Sequence, residues 1–384
     1  MDYLSEALRA MERDGLKRAL RPLTPLGPTR ALFNGRELTL FCTNNYLGLT
    51  HHPLVVKKAR EALETYGAGS GAARLVSGHT PLHEALEEAI ARFKGCARAL
   101  VFPSGYMANI AAISALAGRG DVVFCDRLCH ASLLDGCRLS GAKIVRFRHN
   151  DPTSLRELLA RHPGHRRLLV TEGVFSMDGD TAPLAELHAL AEEFSLGLVV
   201  DDAHGTAVLG PGGKGTTAAQ GVPPQGLVLT GTLSKALGSL GGFIAGDTVL
   251  VDYVINRARP FLFTTALPPA SAAAALAALE VVEGRPEILN LLWENIDRMH
   301  RGLAAAGFAG AKTSPIMPLV LGSPERALRV AERMLDRGYC VPAIRPPSVP
   351  QGTARLRITV SAAHTGEEID GFLTALNEAM EGER

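Results

Sequence analysis

Between Pro81 and about Asp247 the chain alternates helical stretches with short runs of continuous apolar residues. The runs are Arg98–Phe102, Asp121–Cys125, Lys143–Phe147, Arg167–Glu172, Gly197–Asp201, Leu227–Thr230 and Gly242–Ala245. A strand without polar alternation is buried on both faces. Joined by helices, such strands form a mostly parallel sheet covered on both sides. The expected fold class is therefore α/β. In these sheets ligands bind outside the carboxyl ends of the strands. Polar clusters stand at those ends here: Ser104-Gly105, Asp126 to His130, Glu172 to Asp178, Asp201 to His204, and Thr232 to Lys235.

The flanking segments have a different pattern. Tyr3 to Leu20 carries apolar residues at helical spacing, and Pro22, Pro25, Gly27 and Pro28 break it. Ala31–Phe33 and Leu38–Cys42 read as a strand pair about the turn Asn34-Gly35. A loop over Thr43–Leu49, a helix to about Tyr66 and a small-residue loop over Gly67–Gly78 follow. Beyond Asp247, helical stretches over Val249–Arg259, Pro269–Glu280 and Ile288–Ala306 lead into a smaller α+β section. Its strands are Ile316–Leu321 and Arg355–Val360, and its helices Pro324–Arg337 and Glu367–Met380. A length of 384 residues is long for one core. The expected division is an N-terminal segment, 1–50, packing with the small domain, a large α/β domain, 51–280, and a C-terminal small α+β domain, 281–384.

Composition excludes some classes of function. Net charge is +1, from 40 basic and 39 acidic residues, which argues against nucleic acid as a partner. The longest apolar stretch, Ala270–Leu279, is too short to span a bilayer, and the first residues lack the apolar region of a signal peptide. A cytoplasmic location is expected. The 6 cysteines show no disulfide spacing, so reduced thiols are expected. Cys125, Cys129 and His130 invite a metal reading, but no second Cys/His pair follows at a zinc-site spacing, and buried core thiols suit them better. No metal is expected.

Lys235 lies in Thr230-Gly-Thr-Leu-Ser-Lys-Ala-Leu-Gly-Ser-Leu-Gly-Gly242, between two apolar runs. Desolvation favours the neutral form of a lysine amine, and a neutral amine attacks a carbonyl. Thr230, Thr232, Ser234 and Ser239 offer hydroxyls to a phosphate. This combination points to a pyridoxal-phosphate lysine. Taken alone, the stretch also reads as a flexible surface loop, and the other strand ends decide between the two. Asp201 ends an apolar strand and can pair with a pyridinium nitrogen, whereas alternation turns Asp202 to the other side. His204 can meet a phenolic oxygen. The alternative for these two residues, a carboxylate–histidine metal site, is disfavoured by Lys235. Gly105 and Tyr106 stand at a strand-to-helix turn, where backbone N–H groups bind anions. Thr232 supplies a hydroxyl from the other side. His130 can stack on a ring, and Ser176 is a second candidate for the phenolic oxygen. A nucleophile elbow, a P-loop and a dinucleotide fingerprint are all missing.

Several motifs together carry a resemblance. They are Asn44-Asn-Tyr-Leu-Gly-Leu49, Gly69-Ser-Gly71, Arg74-Leu-Val-Ser-Gly78, Ser104-Gly-Tyr106, Asp126 to Ser132, Thr171 to Gly179, Asp201-Asp-Ala-His-Gly205 and Thr232-Leu-Ser-Lys235. With them the chain resembles the α-oxoamine synthases, pyridoxal-phosphate enzymes of the aminotransferase-like fold type I. The run from Ala343 to Arg357 is similar to the branch that joins alanine to a pimeloyl thioester with loss of CO2.

The resemblance implies a role for each matching residue. Lys235 would hold pyridoxal 5'-phosphate and move the substrate Cα proton, with His130 stacked on the ring and Asp201 on its nitrogen. His204 and Ser176 would meet the phenolic oxygen, and Gly105, Tyr106 and Thr232 the phosphate. Thr264 would reach the phosphate of a neighbouring subunit, which implies a homodimer with shared sites. Arg357 and Arg345 would bind substrate carboxylate, with Arg18, Asn44 and Ser348 lining the pocket. Ala73 stands where glycine-specific relatives crowd the substrate Cα with a threonine, so it leaves room for a methyl group. Leu75 replaces an asparagine that holds a short acyl carboxylate, which suits a longer methylene chain. The implied partners are L-alanine and pimeloyl-CoA or pimeloyl-acyl-carrier protein. Glycine-using relatives are the runner-up, and a non-catalytic cofactor-binding regulatory module is the reading from another class. Two positions depart from the branch: Asn45 replaces a usual aspartate, and Gly71-Ala-Ala-Arg74 a usual Gly-Gly-Ser-Arg.

Overall fold

The computed structural model describes residues 2–163, 166–308 and 312–383. Its contacts divide the chain into two units. The larger comprises Leu49–Ser176 and Asp180–Leu289, and the smaller Met1–Gly48, Met177–Gly179 and Asn290–Arg384.

The larger unit is built on a 7-stranded sheet. Its strands are β1 (Arg98–Phe102), β2 (Val122–Asp126), β3 (Lys143–Phe147), β4 (Arg167–Glu172), β5 (Gly197–Asp201), β6 (Leu227–Thr232) and β7 (Gly242–Gly246). Across the sheet the order is β1-β7-β6-β5-β4-β2-β3. β3, β2, β4, β5 and β6 pair in parallel, while β7 is antiparallel to both β6 and β1. β1 therefore runs the same way as β6, and β7 alone is reversed. The reason is covalent. A parallel pair needs a crossover of about a dozen residues or more, and the link Leu233–Gly241 is shorter, so β7 returns antiparallel. That link carries Lys235.

The strands are buried as their composition demands. Phe102, Phe124, Leu169, Val199, Leu229 and Ile244 have no appreciable exposure. Helix Gly105–Leu116 covers the sheet with Ala108, Ala111 and Ala112, whose small side chains allow close approach. The alanine-rich stretch forms helix Pro269–Gly284, which packs on helix Pro53–Tyr66. Among the described residues no helix is long and apolar enough to cross a membrane.

The smaller unit contains a hairpin, Arg30–Phe33 with Arg36–Leu40. Asn34 and Gly35 at its turn have φ of 50° and 77°, the positive pair that a type I′ turn requires. Tyr339–Cys340 adds to this hairpin in parallel. A second sheet has the order Ile316–Gly322, Ala354–Thr359, Ala343–Ile344, all antiparallel. Phe41 is central to this core: His364 stacks on it at 4.2 Å, and Phe372 lies at the same distance. Burial pushes His364 down to about 4, which suits a neutral core imidazole. One expectation fails here. The first helix spans Asp2–Arg13 rather than reaching Leu20. Gly15 adopts φ 64°, and the Leu16 N–H closes back on the Met11 carbonyl at 2.7 Å, a helix-ending turn that glycine makes at low cost.

Candidate active site

The parallel strands of the larger unit end on one edge, and their register aligns the chemistry there. Glu172, Asp201 and Thr230 are lateral partners on β4, β5 and β6. Beyond β6, the half-buried Lys235 places Nζ 2.8 Å from Nε2 of the buried His204. Asp201 accepts hydrogen bonds through both oxygens, Oδ1 from the Ala203 N–H at 3.0 Å and Oδ2 from the Asn109 amide at 2.6 Å. The strand end therefore holds a carboxylate beside an amine and an imidazole, in a setting largely shielded from water.

His130 caps helix Ala131–Ser140. Its backbone N–H donates to Glu172 Oε1 at 2.5 Å, and its Nδ1 lies 2.7 Å from the Ser132 hydroxyl. Burial lowers the imidazole pKa and the charge of Lys235 adds to this, while Asp201 and Asp135 oppose it. Burial, then the neighbouring Asp201 charge, pushes Glu172 well above the usual carboxylate range.

The start of helix Gly105–Leu116 has backbone N–H groups in the arrangement that can bind an anion. Ser104 Oγ caps the Met107 N–H at 3.2 Å. The amides of Gly105 and Tyr106 have no acceptor within the helix. Gly105 is constrained sterically, since a Cβ there would lie 3.1 Å from Thr232 Cβ. Thr232 Oγ1 lies 2.7 Å from Ser234 Oγ and 2.9 Å from the Gly241 carbonyl. The Tyr106 ring is exposed and its hydroxyl bonds Asp135, so its backbone, not its ring, belongs to this edge.

The Thr232 hydroxyl thus already donates to a carbonyl, and two other expected phosphate hydroxyls are also committed. Thr230 is fully buried and its hydroxyl donates to Asn109 Oδ1 at 2.5 Å. Ser239 donates to the Ser271 carbonyl at 2.7 Å. Sequence reasoning gave neither Asn109 nor Ser132 a role, although Ser132 ends one of its motifs. The available signal was a lone amide in an otherwise apolar helix, since a buried polar group needs a partner.

The small-residue loop is pinned at Arg74. Its guanidinium donates to Glu87 Oε2 at 3.0 Å and to His79 Nδ1 at 2.9 Å, and the other Glu87 oxygen accepts the Val101 N–H at 2.8 Å. Beside this anchor Ala73 is half-buried and forms a backbone bridge with Thr265, next to the half-buried Thr264. Leu75 is 59% exposed. Ser176 is also half-buried.

In the smaller unit, Arg357 is buried and its guanidinium donates to Asn44 Oδ1 at 3.2 Å. The Tyr46 hydroxyl donates to the same oxygen at 3.1 Å. Arg345 bonds the Gly15 carbonyl. Burial and the nearby Arg18 charge lower its pKa from the ordinary guanidinium value, so these two cations share a region. Ser348 is exposed, its N–H bonded to the Arg345 carbonyl at 3.1 Å. The Asn45 amide donates to the Pro28 carbonyl at 3.4 Å, a bond that an aspartate could not make.

The sequence profile of the aminotransferase class I and II family matches residues 36–376. A putative 8-amino-7-oxononanoate synthase of Desulforudis audaxviator is 68% identical, over 99% of each chain. The 8-amino-7-oxononanoate synthase of Methylococcus capsulatus is 52% identical, over 92% of each. Among solved structures, serine palmitoyltransferase from S. paucimobilis, with a bound pyridoxal-phosphate–myriocin aldimine, is similar at a TM-score of 0.94 and 35% identity. That match covers 100% of this chain and 98% of the other. With a family profile spanning most of its length and relatives matching nearly end to end, the chain belongs to the aminotransferase class I and II family, and within it to the α-oxoamine synthases.

Proposed function

We propose that this chain is a pyridoxal-phosphate-dependent acyltransferase of biotin biosynthesis. It condenses L-alanine with a pimeloyl thioester, of coenzyme A or acyl-carrier protein, to 8-amino-7-oxononanoate, CO2 and free thiol. The observation that carries this reading is the Lys235 amine set 2.8 Å from His204 on the strand edge that also presents Asp201. Relatives matching nearly the whole chain bear that enzyme's name.

The donor set fits the cofactor: an amine for its carbonyl carbon, a carboxylate for its ring nitrogen, and helix N–H groups for its phosphate. When bound, pyridoxal phosphate supplies an electron sink for bond changes at the amino-acid Cα. Lys235 would hold it covalently, and its amine would move the substrate Cα proton. Asp201 would pair with the ring nitrogen, and His130 would lie against the ring. His204 and Ser176 serve the phenolic oxygen, and Gly105, Tyr106 and Thr232 the phosphate. Thr264 serves the phosphate of a second subunit in a homodimer. Arg357, oriented by Asn44, binds the amino-acid carboxylate. Arg345, whose charge is disfavoured by burial and by nearby Arg18, suits the distal carboxylate of a pimeloyl chain together with Arg18, and Ser348 would line that pocket; Leu75 suits its methylene chain. Ala73 leaves room for the alanine methyl.

The likeness to serine palmitoyltransferase favours a second reading, in which serine and a long unbranched acyl thioester are the substrates. The test has two parts. Borohydride treatment of the yellow holoenzyme should fix the cofactor on the peptide containing Lys235. Product analysis then pairs alanine, serine or glycine with pimeloyl, palmitoyl, succinyl or acetyl thioesters. The highest kcat/KM for alanine with pimeloyl supports the proposal. Preference for serine with palmitoyl establishes the second reading, and preference for glycine a third branch. Labelling at another lysine sinks the site assignment.

A further inference from the structure

Asn109 lies at the junction of a hydrogen-bond chain that has only one consistent direction. Asp201 Oδ1 already accepts the Ala203 N–H, and Oδ2 meets the Asn109 side chain at 2.6 Å. A carboxylate only accepts, so the Asn109 amide must turn Nδ2 toward it. Oδ1 of Asn109 then faces the Thr230 hydroxyl at 2.5 Å, which donates. The second Nδ2 proton goes to Ser132 Oγ at 2.8 Å. With Ser132 Oγ accepting there, its hydroxyl proton is available to His130 Nδ1, 2.7 Å away. An independent contact agrees: the Ser132 backbone N–H points at the same Nδ1 at 3.3 Å. A backbone N–H can only donate, so this longer contact favours an acceptor at Nδ1, while the 2.7 Å hydroxyl bond is the stronger determinant.

We infer that Asn109 is a positioning residue that sets two active-site groups at once. Through Ser132 it holds His130 in the tautomer protonated on Nε2, and directly it holds Asp201 as an acceptor carboxylate. The inference rests on the proposed function for its catalytic consequence, not for the tautomer itself. The consequence is that His130 offers a hydrogen-bond donor, not an acceptor, at its outer nitrogen. Asp201 meanwhile has both oxygens fixed as acceptors, an orientation that suits a cationic ring nitrogen. Asn109 is 3% exposed, and every polar atom of its side chain is engaged.

The experiment is 15N NMR of the pyridoxal-phosphate-loaded protein with labelled histidine, the His130 signals being identified by loss in His130→Gln. Wild type should show an unprotonated Nδ1 and a protonated Nε2. Asn109→Ala and Ser132→Ala should each move His130 toward a mixture of tautomers. Asn109→Ala should also lower kcat at least tenfold with the KM values within about threefold. Ser132→Ala removes the same relay step by a smaller excision, so it serves where Asn109→Ala fails to fold. A protonated Nδ1 in wild type overturns the inference, as does an unchanged tautomer in both variants. The tautomer is read without turnover, so absence of the proposed activity with a wild-type Nε2–H would overturn the functional reading alone.

Discussion

Asp201 and Asp202, consecutive at the end of β5, serve opposite sides of the sheet. Asp201 meets Asn109 on the side of the candidate site. Asp202 accepts from Lys94 Nζ at 2.6 Å, from the Thr216 hydroxyl at 2.5 Å and from the Thr216 N–H at 3.1 Å. Both side chains of the Lys94–Asp202 pair are 0% exposed. Backbone must come close around this pair. A Cβ on Gly215 would lie 1.8 Å from Asp202 Oδ2, and one on Gly205 2.1 Å from Oδ1.

The two aspartates should therefore fail differently. Lys94→Ala or Asp202→Ala leaves an uncompensated buried charge and should cost about 3–5 kcal/mol of stability in a denaturant titration. Asp201→Asn should cost only about 1 kcal/mol and still bind cofactor, yet lose turnover by several orders of magnitude. Turnover within about threefold of wild type, under ~1 kcal/mol of barrier, would remove Asp201 from the mechanism.

Arg357 and Asn44 make a second contrast. Loss of a charge-assisted bond to a substrate carboxylate is worth about 1.5–3 kcal/mol. Arg357→Ala should therefore raise the amino-acid KM by roughly 10- to 150-fold, with the thioester KM little changed. An equal rise for both substrates would mean that Arg357 supports the packing of its strand and not the amino acid.

Ala73→Thr tests the choice of amino acid. A methyl-sized exclusion in a pocket is worth about 1–3 kcal/mol. The variant should lose more kcat/KM with alanine than with glycine. Equal losses would show that Ala73 does not face the substrate methyl.

His149 sits between Asp126, 2.9 Å from Nδ1, and Asp180, 2.8 Å from Nε2. Burial opposes its charge, but the two carboxylates outweigh burial and push its pKa up to about 10. A pKa raised on folding means stability that is complete below the unfolded value near 6.5 and is lost as pH rises through about 10. Wild-type Tm should fall across that window, and His149→Gln should flatten the fall. A variant whose Tm follows the wild-type slope would show that His149 is not charged in the folded protein.

By itself the sequence determined the sheet and the edge on which the chemistry lies. Continuous apolar runs are a local signal, because a strand covered on both faces must be apolar along its length. The edge follows from the polar residues at the ends of those runs. Alternation alone was also enough to send Asp201 and Asp202 apart. The Asn34-Gly35 hairpin was legible for a similar reason, since its turn depends on two residues only.

Tertiary structure decided the rest. The reversal of β7 came from a link too short to cross over, and only the assembled order showed it lying between β1 and β6. Thr230 and Ser239 read as phosphate hydroxyls until packing gave each another partner. Arg74, inside a loop motif, turned inward to Glu87 and His79. Asn109 met Asp201 from 92 residues away. Hydrogen-bond partners distant in sequence leave no periodic trace. Which donor satisfies which buried acceptor is settled only when the helices are laid on the sheet.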